Sequence, residues 1–160
     1  MIELNYEPIY KLIKNGTTIA TMESCTGGAL ASAITDCSGA SEIFFGGDVT
    51  YSNLTKAAAG VDPEIISQFG VYSLETAEDM ARTAATKYGT VLGVGITGSL
   101  GRLDPNNADS VSGKVYCAIC SAHTYQCSAF QLTVPQDIAE RHDMKTYVIN
   151  EVLQRILAYC

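Results

Sequence analysis

The sequence predicts a three-layer α/β/α sandwich around a mixed, mostly parallel sheet, and three observations carry that reading. Val91-Leu-Gly-Val-Gly-Ile-Thr97 is a near-continuous apolar run of strand length, as expected for a strand covered on both faces. Amphipathic helical patterns alternate with β-forming runs along most of the chain, which suits helices laid on a sheet. Ala77, Met80, Ala81, Ala84 and Tyr88 form a stripe so rich in alanine that its helix must pack closely on that sheet.

The chain has 160 residues, 47% of them hydrophobic and 17% charged, which is enough for one buried core and argues against disorder. One domain spanning residues 1–160 is expected. The net charge of −7 argues against general nucleic-acid or anionic-membrane binding, since both need a basic face. Met1 leads into a polar, acidic start without an apolar signal region, and no later segment reaches the length of a membrane span. A cytoplasmic protein is expected, with no membrane or nucleic-acid partner.

Tyr6, Ile9, Tyr10 and Ile13 keep a helical spacing that Gly16 ends. Thr18 to Thr21 reads as a short buried strand, and Leu30, Ala33 and Ile34 recur at helical spacing beyond it. Glu23-Ser24-Cys25-Thr26 therefore falls in the connecting turn. A helix start there would offer unpaired N–H groups, and Gly27-Gly28 would let a ligand approach them. An ordinary Ser/Thr cap followed by two flexible glycines explains the same letters equally well.

Ser41 to Tyr51 is rich in β formers, and Gly46-Gly47 inside it implies a bulge or a close backbone approach. Two short helices follow, the first capped by Asn53 or Thr55 and the second running from Pro63 to Phe69. Ser73 starts the alanine-rich helix, with Glu75 in its first turn and Lys87 in its last. The run after it contains Gly93-x-Gly95-x-x-Gly98, but these glycines lie within the strand and a Pro/Asn/Asp loop follows, so the dinucleotide reading is rejected. The loop from Gly101 to Gly113 is long enough to be a pocket rim.

Lys114–Ser121 and Tyr125–Val134 read as an antiparallel strand pair, and a long helix runs from about Gln136 to Ala158. Arg141 precedes Val152 by eleven residues, almost three turns, so it falls on the buried stripe. A guanidinium there either pairs with a buried carboxylate or binds an anionic ligand. Cys117 and Cys120 form a C-x-x-C, yet an odd offset in a strand sends them to opposite faces. With only His123 and His142 to add, no metal site is expected, and most of the six cysteines are expected to be small buried hydrophobes.

Glu23-Ser-Cys-Thr-Gly-Gly28, Gly46-Gly-Asp-Val-Thr-Tyr-Ser-Asn53 with Lys56 and Gly60-Val61, Val71-Tyr-Ser73, Met80-Ala81, Ile96-Thr-Gly98 and Gly113-x-Val-Tyr116 occur in that order. Together they resemble the CinA C-terminal domain family, the nicotinamide-nucleotide amidases, over nearly the whole chain. The resemblance implies a stand-alone domain that hydrolyses the carboxamide of nicotinamide mononucleotide to the acid and ammonia, without a cofactor. It implies a Ser24–Lys56 catalytic pair, with Tyr51 relaying a proton or orienting Lys56. Ser41, Thr97 and Arg141 match positions expected to line the site, and Glu23, Thr26, Gly27, Gly28 and Gly46 complete the expected substrate-binding set. A homo-oligomer is also expected. The family usually continues Thr-Gly with Ile-Ala-Gly-Pro and a glycine-rich turn, whereas this chain has Thr97-Gly-Ser-Leu-Gly-Arg-Leu-Asp-Pro105.

The chemistry is coherent on its own terms. Amide hydrolysis needs a nucleophile, a proton acceptor and donors for the oxyanion. Ser24 supplies the first, Lys56 the second if its proton affinity is lowered, and helix amides around Cys25 to Gly28 the third. The competing class is a non-catalytic nucleotide-binding or interaction domain whose altered 98–112 loop has lost or changed the activity.

Overall fold

The computed structural model describes residues 1–101 and 104–160. Five strands, β1 (Ile19–Glu23), β2 (Phe44–Val49), β3 (Leu92–Gly98), β4 (Lys114–Ser121) and β5 (Cys127–Thr133), form one sheet in the order β2-β1-β3-β4-β5. β1 pairs in parallel with β2 and β3, while the β3–β4 and β4–β5 pairs are antiparallel, so four of the five strands point the same way. The helices are α1 (Glu7–Asn15), α2 (Ala29–Thr35), α3 (Asn53–Ala59), α4 (Pro63–Phe69), α5 (Leu74–Tyr88) and α6 (Arg141–Ile156).

Alternation along β1 sorts the helices into two layers. Ile19 packs with Ile9 and Leu12 of α1, Leu30 and Ile34 of α2, and Val148 and Val152 of α6. Ala20 and Met22 turn the other way, onto Met80 and Ala84 of α5. The result is the α/β/α sandwich that the pattern of elements predicts.

Two of the three glycines of β3, Gly93 and Gly95, explain how closely α5 lies. A Cβ at Gly93 would sit 1.9 Å from the Ala81 carbonyl oxygen, and one at Gly95 would sit 2.2 Å from that of Ala77. Both are sterically impossible, so the glycine spacing is set by helix-on-strand packing and has no ligand to serve. In β2 the register jumps from Ile19 opposite Phe44 to Ala20 opposite Gly46, which leaves Phe45 in a bulge. A Cβ on Gly46 would meet the Tyr88 ring at 2.3 Å.

Several element ends differ from expectation for local reasons. The cap of α3 is Ser52, whose hydroxyl accepts from the Thr55 N–H while Thr55 Oγ1 accepts from the Ser52 N–H. Residues 40–42 form a 3-10 turn, so β2 is shorter than the 41–51 run. α6 starts at Arg141, not near Gln136, because a turn closed by the Ile138 N–H on the Pro135 carbonyl (3.1 Å) and an extended Glu140 come first.

The cysteines also divide. Cys117 faces the α6 side and Cys120 the α5 side, as strand alternation requires. Cys120 and Cys127, directly opposed on β4 and β5, form a disulfide, which corrects the buried-thiol reading for this pair. Cys25, Cys37 and Cys117 are free and buried.

Candidate active site

Parallel strands bring their carboxyl ends together, and the chain leaves β1, β2 and β3 at one edge of the sheet. Ser24 follows β1, Thr50 follows β2, and Ser99 and Leu100 follow β3. A cleft of about 750 Å³ opens there, lined by Ser24, Cys25, Tyr51, Lys56, Asp104 and Arg141 among others. That volume admits a ligand of nucleotide size.

Glu23 builds the turn that presents Ser24. Its side chain is fully buried. Oε1 accepts from the Thr26 hydroxyl (2.7 Å) and the Leu30 N–H (2.8 Å), and Oε2 accepts from the Ala31 N–H (3.0 Å). The carboxylate thus satisfies the amides at the start of α2 from inside, a task usually left to a cap residue. Ser24 is thereby released from capping. Glu23 and Thr26 serve the turn and do not line the cleft, and Gly27 and Gly28, at φ values of +60° and +97°, supply its left-handed bend. These two glycines instead border a separate groove between α2, α6 and the N-terminal segment, near Lys145.

Lys56, on α3, is only 2% exposed. Its Nζ lies 3.2 Å from Ser24 Oγ and donates to the Thr50 carbonyl oxygen at 2.8 Å. No ion pair among the described residues involves it. Burial lowers its pKa to about 8, against smaller opposing effects of Cys25 and Asp104. Cys25, beside the nucleophile, goes the other way: burial, then the Glu23 charge, push its thiol up to about 12 despite Lys56 and Arg141.

Arg141 projects from the first turn of α6 to the cleft mouth. It is exposed: it shares the helix face of Val152, but at the first position of α6 that face ends at the cleft and nothing covers the side chain. Nη1 donates to the Leu100 carbonyl, and Nη2 donates to the Tyr51 hydroxyl at 3.0 Å. Among the described residues no carboxylate pairs with it. Tyr51, 62% exposed, therefore partners Arg141 at the rim and not Lys56.

Three more residues expected at the site lie elsewhere. Thr97 is fully buried and donates to the Val71 carbonyl at 3.0 Å, fixing the chain before α5. Gly46 sits in mid-strand under Tyr88. Ser41 precedes β2 and so lies at the amino end of the parallel strands, away from the cleft.

The structure adds a group that the residue patterns did not single out. Asp104 Oδ2 accepts from the Tyr72 hydroxyl and from Asn107 Nδ2, both at 2.6 Å, and Oδ1 accepts from the Asn106 N–H at 2.8 Å. Asn107 Oδ1 in turn accepts from Asn53 Nδ2 at 3.1 Å, joining the loop to α3. The only sequence signal was the length of the 101–113 loop. Arg102 and Leu103 of that loop lie outside the described residues.

Comparison with known proteins gives the lineage. The model of the CinA C-terminal domain matches residues 3–160. The chain belongs to the CinA C-terminal domain family. A CinA-like protein of Myxococcus xanthus is 38% identical over 128 residues, covering 79% of this chain and 30% of that protein. A putative competence-damage inducible protein of Clostridium acetobutylicum is 38% identical over 146 residues, covering 91% of this chain and 34% of that one. The chain thus spans about a third of the length of these CinA relatives. The crystal structure of competence/damage inducible protein CihA from Agrobacterium tumefaciens superimposes with a TM-score of 0.85 at 28% identity, covering 99% of this chain and 98% of that one. A competence or damage-inducible protein from Enterobacter asburiae shares the fold at a TM-score of 0.86 and 23% identity, with 99% of each chain covered. No helix of this CinA domain, among the described residues, is long and apolar enough to cross a membrane. No group of three or more His, Cys, Asp or Glu side chains among them could hold a metal ion.

Proposed function

We propose that this CinA domain is a Ser–Lys amidase that hydrolyses the carboxamide of nicotinamide mononucleotide to nicotinate mononucleotide and ammonia. The observation that carries the reading is a buried lysine nitrogen, in no ion pair among the described residues, 3.2 Å from a serine hydroxyl at the floor of a nucleotide-sized cleft. Lysine is rarely buried without a partner, because desolvation penalises its charge. Here that penalty favours the neutral amine, which is the form able to take a proton.

In the proposed sequence Lys56 Nζ accepts the Ser24 proton as Oγ attacks the carboxamide carbon. Glu23 occupies the Leu30 and Ala31 amides, so the oxyanion is assigned to the N–H of Cys25, the residue after the nucleophile. Lys56 then returns the proton to the leaving nitrogen. Ammonia departs and an ester to Ser24 remains. Water, deprotonated by Lys56, cleaves that ester, releasing the acid and restoring Ser24. Arg141 meets the phosphate at the mouth.

The test is release of ammonia and nicotinate mononucleotide from nicotinamide mononucleotide by wild type, Ser24→Ala and Lys56→Met. Turnover by wild type alone supports the reading. Calorimetric binding with no turnover by wild type would favour a non-catalytic binding domain instead.

A further inference from the structure

We propose that Asp104, held by the Tyr72 hydroxyl, is a specificity-determining residue that makes the cleft prefer a ligand with a positively charged ring over the same ligand with a neutral one. The inference rests on the pyridine-nucleotide reading for its choice of ligand, and on the charge layout of the cleft for its substance.

That layout is bipolar. Arg141 and Asp104 both line the cleft, and among the described residues neither belongs to an ion pair. Among the described residues the partners of each are neutral: for Arg141 the Leu100 carbonyl and the Tyr51 hydroxyl, for Asp104 the Tyr72 hydroxyl, the Asn107 amide and the Asn106 N–H. Neutral donors orient a carboxylate and keep it ionised without cancelling its charge. Asp104 is accordingly held below the usual carboxylate range, first by the Tyr72 hydrogen bond.

The negative pole bears on the reacting end of the cleft, because Asp104 lines the same cleft as Ser24 and Lys56. Tyr72 lines the same cleft with its hydroxyl on Asp104, and the carboxylate attracts a cationic ring electrostatically. A ligand anchored by an anion at Arg141 would therefore gain attraction at Asp104 only if its other end carries positive charge. Nicotinamide mononucleotide has that polarity, with a phosphate at one end and a pyridinium ring at the other. Its 1,4-dihydro form keeps the phosphate, ribose and carboxamide but has a neutral ring.

The experiment measures calorimetric affinity of the oxidised and dihydro nucleotides for Ser24→Ala protein, in which turnover is removed. The expected result is a preference of roughly three- to fivefold for the oxidised form, the upper part of the scale of one partly solvated charge contact. Adding Asp104→Asn should reduce it to less than about twofold, while Asp104→Glu keeps part of it. Asp104→Ser, a second neutral variant, stands in if the asparagine protein does not fold, and melting curves show which variants are intact. Equal affinity for the two forms in Ser24→Ala protein, or an undiminished preference in a folded neutral variant, would overturn the assignment and leave the amidase reading standing. If neither form binds, the pyridine-nucleotide reading fails and this inference falls with it.

Discussion

Lys56 Nζ and Ser24 Oγ lie 3.2 Å apart, and the Thr50 carbonyl, 2.8 Å from the same nitrogen, fixes the direction of their contact. A neutral amine that donates one N–H to Thr50 can turn its lone pair to the serine proton, whereas an ammonium cannot accept it. With the Lys56 pKa lowered to about 8, kcat/KM should rise with pH through about 8 and level off above it. A rate independent of pH between 7 and 9 would refute Lys56 as the base.

The neighbouring thiol is a poor rival to Ser24. Cys25 is buried, and its pKa of about 12 leaves it protonated throughout the working range. Cys25→Ala should keep turnover within about tenfold of wild type, while Ser24→Ala should lose it by at least about a thousandfold. The reverse pattern, measured as ammonia release, would transfer the nucleophile to Cys25.

Lys56 also couples stability to pH. Its folded pKa, about 8, lies below the value of 10.5 for the free side chain, so the unfolded chain binds the extra proton between them. The penalty of burying the amine is fully present below pH 8 and is relieved as pH rises from 8 to 10.5. Tyrosines and other thiols titrate in the same window, so the informative quantity is the difference between wild type and Lys56→Met in urea unfolding. That difference should move in favour of wild type as pH rises. A constant difference would mean that Lys56 is not desolvated in the folded state.

The sequence made the layers legible because they rest on local periodicity: the apolar β3 run, the alanine stripe of α5 and the helical spacing of α1 each appear at one place in the chain. The Ser24–Lys56 contact became legible through resemblance, since nothing local distinguishes Lys56 from a solvated lysine. What could not be read were contacts made by distant side chains. Glu23 lies next to Ser24 in sequence and so looked like a ligand contact, yet its oxygens turn inward to the Leu30 and Ala31 amides. Gly46 suggested a ligand, and the object that needs the space is Tyr88, 42 positions on. Arg141 does share a helix face with Val152, but as the first residue of α6 it sits where that face runs out into the cleft, so its side chain reaches the mouth instead of the core.

That placement gives Arg141 a testable role. It has no carboxylate partner among the described residues, so its loss leaves no buried charge behind and the fold should survive. A charge-assisted hydrogen bond contributes about 1.5–3 kcal/mol, so Arg141→Ala should raise KM for nicotinamide mononucleotide about 10- to 100-fold if the contact is equal in ground and transition states. Arg141→Lys should recover only part of this, because lysine keeps the charge and loses the planar fork that also holds Tyr51 and Leu100. Nicotinamide riboside, which lacks the phosphate, supplies the control. It should be a poor substrate for wild type and no worse for Arg141→Ala, because the missing group is the one the guanidinium meets. Equal impairment with both substrates, at an unchanged melting temperature, would instead make Arg141 a strut for the Tyr51 and Leu100 rim and move the phosphate contact elsewhere.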